Sequence, residues 1–111
     1  MDGNCIAVDV GGTKLAAGIC SPEGRILARA QVPTPSSADA DEVFSALGRV
    51  IAAVRDGEAG DDGASVVGVG CGGPMLPDGA LVSPLNIPAW RDFPLRERLR
   101  DLLGLPVAVD N

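Results

Sequence analysis

The chain has 111 residues, 46% of them hydrophobic and 22% charged, with a formal net charge of −6 and no histidine. Such a length and balance fit one soluble domain able to bury roughly two thirds of its unfolded surface. The acidic surface would repel a polyanion, so no nucleic-acid partner is expected. No apolar run can span a bilayer and no signal peptide is visible, so a cytoplasmic protein without membrane contact is expected.

Cys5–Val10 is a short apolar run suited to a central strand covered on both faces, and it would bury the carboxylate of Asp9. "VGG" then turns the chain into a second strand, Lys14–Cys20. "SPEG" at Ser21–Gly24 has Pro and Gly where a tight turn wants them. Arg25–Val32 alternates, with Ile26, Ala28, Ala30 and Val32 on one face, as in a half-exposed strand of an antiparallel meander.

After the connector "PTPSSADAD", Asp39 or Asp41 can cap a helix. Val43, Phe44, Leu47, Val50, Ile51 and Val54 form its apolar stripe. "DGEAGDDG" at Asp56–Gly63 is predicted as an acidic loop, and Ser65–Cys71 as the next strand. "CGGPMLPDG" is turn chemistry, with Ala80–Val82 a short extended piece beyond it. Pro94 suits the first position of a second helix, whose stripe is Leu95, Leu99, Leu102 and Leu103. Arg91, Arg96, Arg98 and Arg100 alternate with acids and predict a solvated face. Gly104 and Pro106 stop the helix, and Val107–Val109 begins another strand.

Three hairpin-linked strands followed by alternating helices and strands predict an α/β layer on a mixed sheet. Cys5, Cys20 and Cys71 are odd in number and far apart, and without His no usual zinc spacing can be assembled. They are expected to be buried, reduced thiols.

The chemistry concentrates at Asp9–Lys14. Two residues without side chains let backbone N–H groups approach an anion closely, beside a hydroxyl and an ammonium. Thr13 and Lys14 can donate to phosphate oxygens, and Asp9 can hold Mg²⁺ through water. The terminal phosphates of ATP fit this set, although neither GxxxxGK[ST] nor GxGxxG occurs. As plain structure, Gly-Gly could simply serve a hairpin turn.

"AVDVGGTKLAAGI" resembles the first phosphate motif of the sugar kinases that share the actin and Hsp70 ATPase fold. More narrowly, it is similar to that of the ROK family (repressors, open reading frames and kinases), which includes bacterial glucokinases. "VVGVGCGGP" and "SPLNIPAWRDFPLRERLRDLLGLPVAVDN" resemble two further family segments, so the likeness covers nearly the whole chain.

The resemblance implies a ribonuclease H-like (actin-like ATPase) lobe and transfer of the γ-phosphate of ATP to a sugar 6-hydroxyl, glucose foremost. It implies that Gly11, Gly12, Thr13 and, more weakly, Lys14 contact ATP phosphates, with Asp9 near Mg²⁺. Gly72 and Gly73 would form part of the sugar wall, with Asn86 and Asn111 bonding sugar hydroxyls. The catalytic Asp would follow Asn111. A nucleotide lobe with a structural zinc segment would belong to the rest of a longer, homo-oligomeric protein, and this segment alone would be inactive.

The family often has Gly where Met75 and Ala89 stand, which leaves the sugar open. Few residues precede the first strand, so no winged helix is expected there and the repressor branch is disfavoured. Two other readings compete: a sugar-binding regulator without catalysis, and an RNase H-like nuclease using Asp9 and Asp110. Trp90, the single Trp, reads as packing rather than as a sugar platform.

Overall fold

The computed structural model describes residues 3–56 and 64–111. In chain order the elements are β1 (Asn4–Val10), β2 (Lys14–Cys20), β3 (Ile26–Pro33), α1 (Ala40–Arg55), β4 (Ala64–Cys71), a 3-10 turn (Pro77–Gly79), α2 (Leu95–Leu103) and β5 (Val107–Asp110). They build one five-stranded sheet in the order β3-β2-β1-β4-β5. The β1–β2 and β2–β3 pairs are antiparallel, while β1–β4 and β4–β5 are parallel. This is the mixed sheet and N-terminal meander that the sequence predicts. The predicted acidic loop lies, beyond Asp56, outside the described residues.

Strand alternation divides the sheet into two unlike faces. Ile6, Val8 and Val10 of β1, Leu15, Ala17 and Ile19 of β2, Val67, Val69 and Cys71 of β4, and Val107 and Val109 of β5 are buried in one core. That core also takes Val43, Leu47, Val50, Ile51 and Val54 of α1 and Leu95 and Leu99 of α2. The alternate residues Cys5, Ala7 and Asp9, with Val66, Gly68 and Gly70, are half-buried or exposed. The expectation that β1 is covered on both faces is therefore corrected: within this chain one face is packed and the other is open. Cys5 and Cys20 lie on the open face and are half-buried, and only Cys71 is a buried thiol.

Local signals end the elements where the chain chemistry dictates. Asp39 caps α1, its carboxylate accepting from the Asp41 N–H at 2.9 Å, and Asp41 and Glu42 place negative charge in the first turn. Gly104 closes α2 in the left-handed conformation, φ 67°, with its N–H on the Arg100 carbonyl. Pro94 flanks this helix as its cap rather than occupying its first turn. The edge strand β3 is shifted by one residue from Arg25–Val32, and a register shift between Ile19 and Cys20 pairs Ile26 with Cys20 of the open face, where Ile26 is 56% exposed instead of sharing the face of Ala28, Ala30 and Val32. Ala80–Val82 forms no strand. Val82 instead makes single bridges to Met75 and Phe93.

Candidate functional site

The parallel strands β1, β4 and β5 end at one edge of the sheet, where open α/β sheets gather their ligands. Asp9, Gly70 and Asp110 stand in one row across these strands and are all exposed. Asp9 thus reaches solvent on the open face rather than being buried in an apolar run. The strand alternation that sends Val8 and Val10 into the core sends Asp9 the other way. Its carboxylate has no hydrogen-bond or ion-pair partner among the described residues. A depression of about 350 Å³ on this face is lined by Asp9, Lys14, Ala16, Gly18 and Arg29.

The β1–β2 turn is closed by the Gly11 N–H donating to the Lys14 carbonyl at 3.0 Å. Gly12, Thr13 and Lys14 are exposed beyond it. The N–H groups of Gly12 and Thr13 find no acceptor among the described residues. Backbone donors left without an acceptor in an exposed turn suit an anion. The turn is held from outside by Thr34, whose hydroxyl donates to the Gly11 carbonyl at 2.7 Å and whose N–H donates to the Thr13 carbonyl at 3.0 Å. Sequence reading missed Thr34. It lies twenty-three residues from Gly11 in a Pro/Ser connector, and only the β2–β3 pairing brings it beside the turn.

The segment 84–91 lies directly against that turn. A Cβ built on Gly12 would collide with the Asn86 Cβ and stand 3.3 Å from its Cγ. Asn86 is exposed at the tip of this loop, between exposed Leu85 and buried Ile87. The loop is gathered by Arg91, whose Nη1 donates to the carbonyls of Pro84 (3.0 Å), Ile87 (3.3 Å) and Trp90 (2.6 Å). The arginines expected on a solvated face are exposed or half-buried, and each also has a partner within the chain. Arg91 precedes α2 and organises the loop, Arg96 and Arg100 donate to the carbonyls of Asp78 and Val107, and Arg98 lies over the rings of Phe44 and Phe93. Charge alternation predicts solvent contact but does not announce these backbone partners.

Asn111 follows β5, and its Nδ2 lies 3.0 Å from where a Cβ on Gly73 would stand. Gly72 is exposed, and a Cβ there would meet nothing within 4 Å. Beside them, burial and, second, the charge of Asp9 push the Cys71 thiol up to about 11. The structure thus brings Asp9, Gly11–Lys14, Gly72, Gly73 and Asn111 to neighbouring strand ends, with Asn86 delivered by the loop. Trp90 is fully buried and stacked on Phe93 at 4.4 Å, where it packs the loop against the core.

Among the described residues, no group of three or more His, Cys, Asp or Glu gathers where it could hold a metal. A magnesium ion at Asp9 would therefore lean on one carboxylate, with water and phosphate oxygens completing its shell, an arrangement that suits this hard cation. The unpartnered carboxylate of Asp9 fits that demand. No helix among the described residues is long and apolar enough to cross a membrane.

Comparison with known proteins places this geometry in a family. The model of the ROK family matches residues 5–111. A glucokinase of Streptomyces coelicolor is 36% identical over 109 residues, which are 98% of this chain and 32% of the relative. An N-acetylmannosamine kinase of Escherichia coli is 31% identical over 108 residues, 96% of this chain and 35% of the relative. The crystal structure of a ROK family glucokinase from Streptomyces griseus, in complex with glucose and AMPPNP, superposes with a TM-score of 0.83 at 38% identity. That superposition covers 98% of this chain and 33% of the other. The chain spans about a third of the length of these relatives. It belongs to the ROK family, and its mixed sheet is that of a lobe of the actin-like ATPase fold.

Proposed function

We propose that this ROK-family chain is the N-terminal lobe of an ATP-dependent hexose kinase that moves the γ-phosphoryl group of ATP to a sugar 6-hydroxyl, with glucose as the sugar. The observation that carries the reading is the contact between the Gly12 turn and the Asn86 loop at the edge where β1, β4 and β5 end. Phosphoryl transfer depends on placing donor and acceptor side by side and neutralising charge. Here an anion-ready turn adjoins an exposed amide.

In this reading Gly11, Gly12 and Thr13 hold phosphate oxygens through backbone N–H groups, aided by the Thr13 hydroxyl and the Lys14 ammonium. Asp9 would hold Mg²⁺ through water, and the ion would neutralise charge on the terminal phosphates. Asn86 and Asn111 bond sugar hydroxyls, and Gly72 and Gly73 let the ring approach the end of β4. The base for the sugar hydroxyl would follow Asn111 in the full-length chain, so this segment alone would not turn over. Glucose is favoured over N-acetylmannosamine by the higher identity to the glucokinase, 36% against 31%.

The test uses the full-length protein with ATP, Mg²⁺ and glucose, mannose or N-acetylmannosamine, following ADP release and locating the new phosphate by NMR. Glucose should be phosphorylated at its 6-hydroxyl with the highest kcat/KM. Asp9→Asn should lower kcat by about 100-fold or more, the scale of losing a charge-stabilising group, while the calorimetric Kd for glucose stays within about threefold. Sugar binding without turnover would mark a regulator instead. Equal loss of binding and turnover in Asp9→Asn would make Asp9 structural.

A further inference from the structure

We propose that Gly12 is a positioning residue for the sugar side of the site: the space left by its missing side chain is the seat of Asn86. The inference rests on the reading that Asn86 bonds sugar hydroxyls, and it assigns to the phosphate turn a second task.

Backbone conformation does not call for glycine at position 12. The positive-φ glycines among the described residues are Gly24, Gly79 and Gly104. The demand that the structure does show is spatial. A Cβ at Gly12 would run into the Asn86 Cβ, with the Asn86 Cγ at 3.3 Å and its carbonyl oxygen at 3.4 Å. Gly11 differs, because a Cβ there would meet the Lys14 carbonyl at 3.0 Å, an atom of its own turn. Gly72 differs again, having open space. Of these three glycines, Gly12 alone is fitted to the sugar loop.

Neither side can yield cheaply. The turn is tied by the two hydrogen bonds from Thr34. The loop is tied by the Arg91 guanidinium, by the Ile87 N–H on the Pro84 carbonyl at 3.1 Å, and by the Trp90 N–H on the Ile87 carbonyl at 3.0 Å. Ile87 and Trp90 are 2% and 0% exposed, so the loop is anchored in the core on the C-terminal side of Asn86. A methyl group at position 12 must therefore push the Asn86 amide off its position, since the colliding Asn86 Cβ is fixed to tied backbone and cannot swing away as the far end of a side chain could. Sugar affinity should then depend on a residue of the phosphate turn even when no nucleotide is bound.

The test measures glucose Kd by calorimetry on the full-length protein without nucleotide. Gly12→Ala should weaken glucose about tenfold, the size of one lost neutral hydrogen bond at the sugar. In an Asn86→Ala background the same change should add less than about twofold, because the amide it displaces is already gone. Glucose affinity unchanged in Gly12→Ala, with Asn86→Ala clearly weaker, would overturn the inference and leave the kinase reading standing. A full, additive loss in the double variant would also overturn it, by showing a general loosening. Unchanged affinity in Asn86→Ala would remove the reading on which it rests. Should Gly12→Ala fail to fold, selective ¹⁵N-glycine labelling of the wild type serves instead. Glucose alone should then shift the Gly12 amide signal, and an unmoved signal at saturation would overturn the proposal.

Discussion

Cys71 and Asp9 are near neighbours on adjacent strands, yet they face opposite sides of the sheet. Cys71 is 4% exposed, in the core, and is pushed up to about 11 by that burial and by the charge of Asp9. Between pH 9.0 and about 11 the unfolded chain would release this proton while the folded chain keeps it. Stability should therefore fall as pH rises through that window, by about 3 kcal/mol at most. Urea unfolding of the full-length protein at pH 8 and pH 10.5 should show the loss, and Cys71→Ala should show a smaller one. The thiolate is the nucleophile, so iodoacetamide at pH 8 should label the half-buried Cys5 and Cys20 ahead of Cys71. Labelling of Cys71 first would contradict its burial.

At the scale of elements, the loop carrying Asn86 is joined to α1 by an aromatic stack. Trp90 lies parallel to Phe93, interplanar angle 1°, and Phe93 meets Phe44 of α1 with ring centroids 5.8 Å apart. The Trp90 indole N–H donates to the Ala40 carbonyl at 3.1 Å, and the Arg98 guanidinium lies 4.5 Å from the Phe44 ring centre. Trp90→Leu should cost about 3 kcal/mol, because it opens a cavity and strands a carbonyl contact. Arg98→Met should cost under about 1 kcal/mol, since its ion pair with Asp41 is exposed and its ring contact is partly solvated. Denaturant titration of both variants checks the order, and a larger loss for Arg98→Met would show that charge rather than packing holds the loop. The apolar stripe of α1 was legible in the sequence because helical spacing repeats within a few residues. The roles of Arg91 and Thr34 were not, because their partners are backbone carbonyls that no side-chain pattern announces.

Across the whole molecule, protection should follow the sheet order. β1 has a paired strand on either side, whereas β3 is an edge strand without a fully buried residue. Amide hydrogen exchange should be slowest in β1 and fastest in β3, and equal protection would mean that the sheet opens only as a unit. By itself the sequence determined the strand and helix order, the meander, and the glycine turn with its candidate anion chemistry. These rest on local periodicity and turn stereochemistry, which act over a few residues. Only the tertiary structure decided that one sheet face is packed and the other open, since a short apolar strand reads alike in either case until its neighbours are in place. That division exposes Asp9. Only the tertiary structure, too, set Asn86 against Gly12 and Asn111 against Gly73, because residues this distant in the chain meet only where parallel strands end together at one edge.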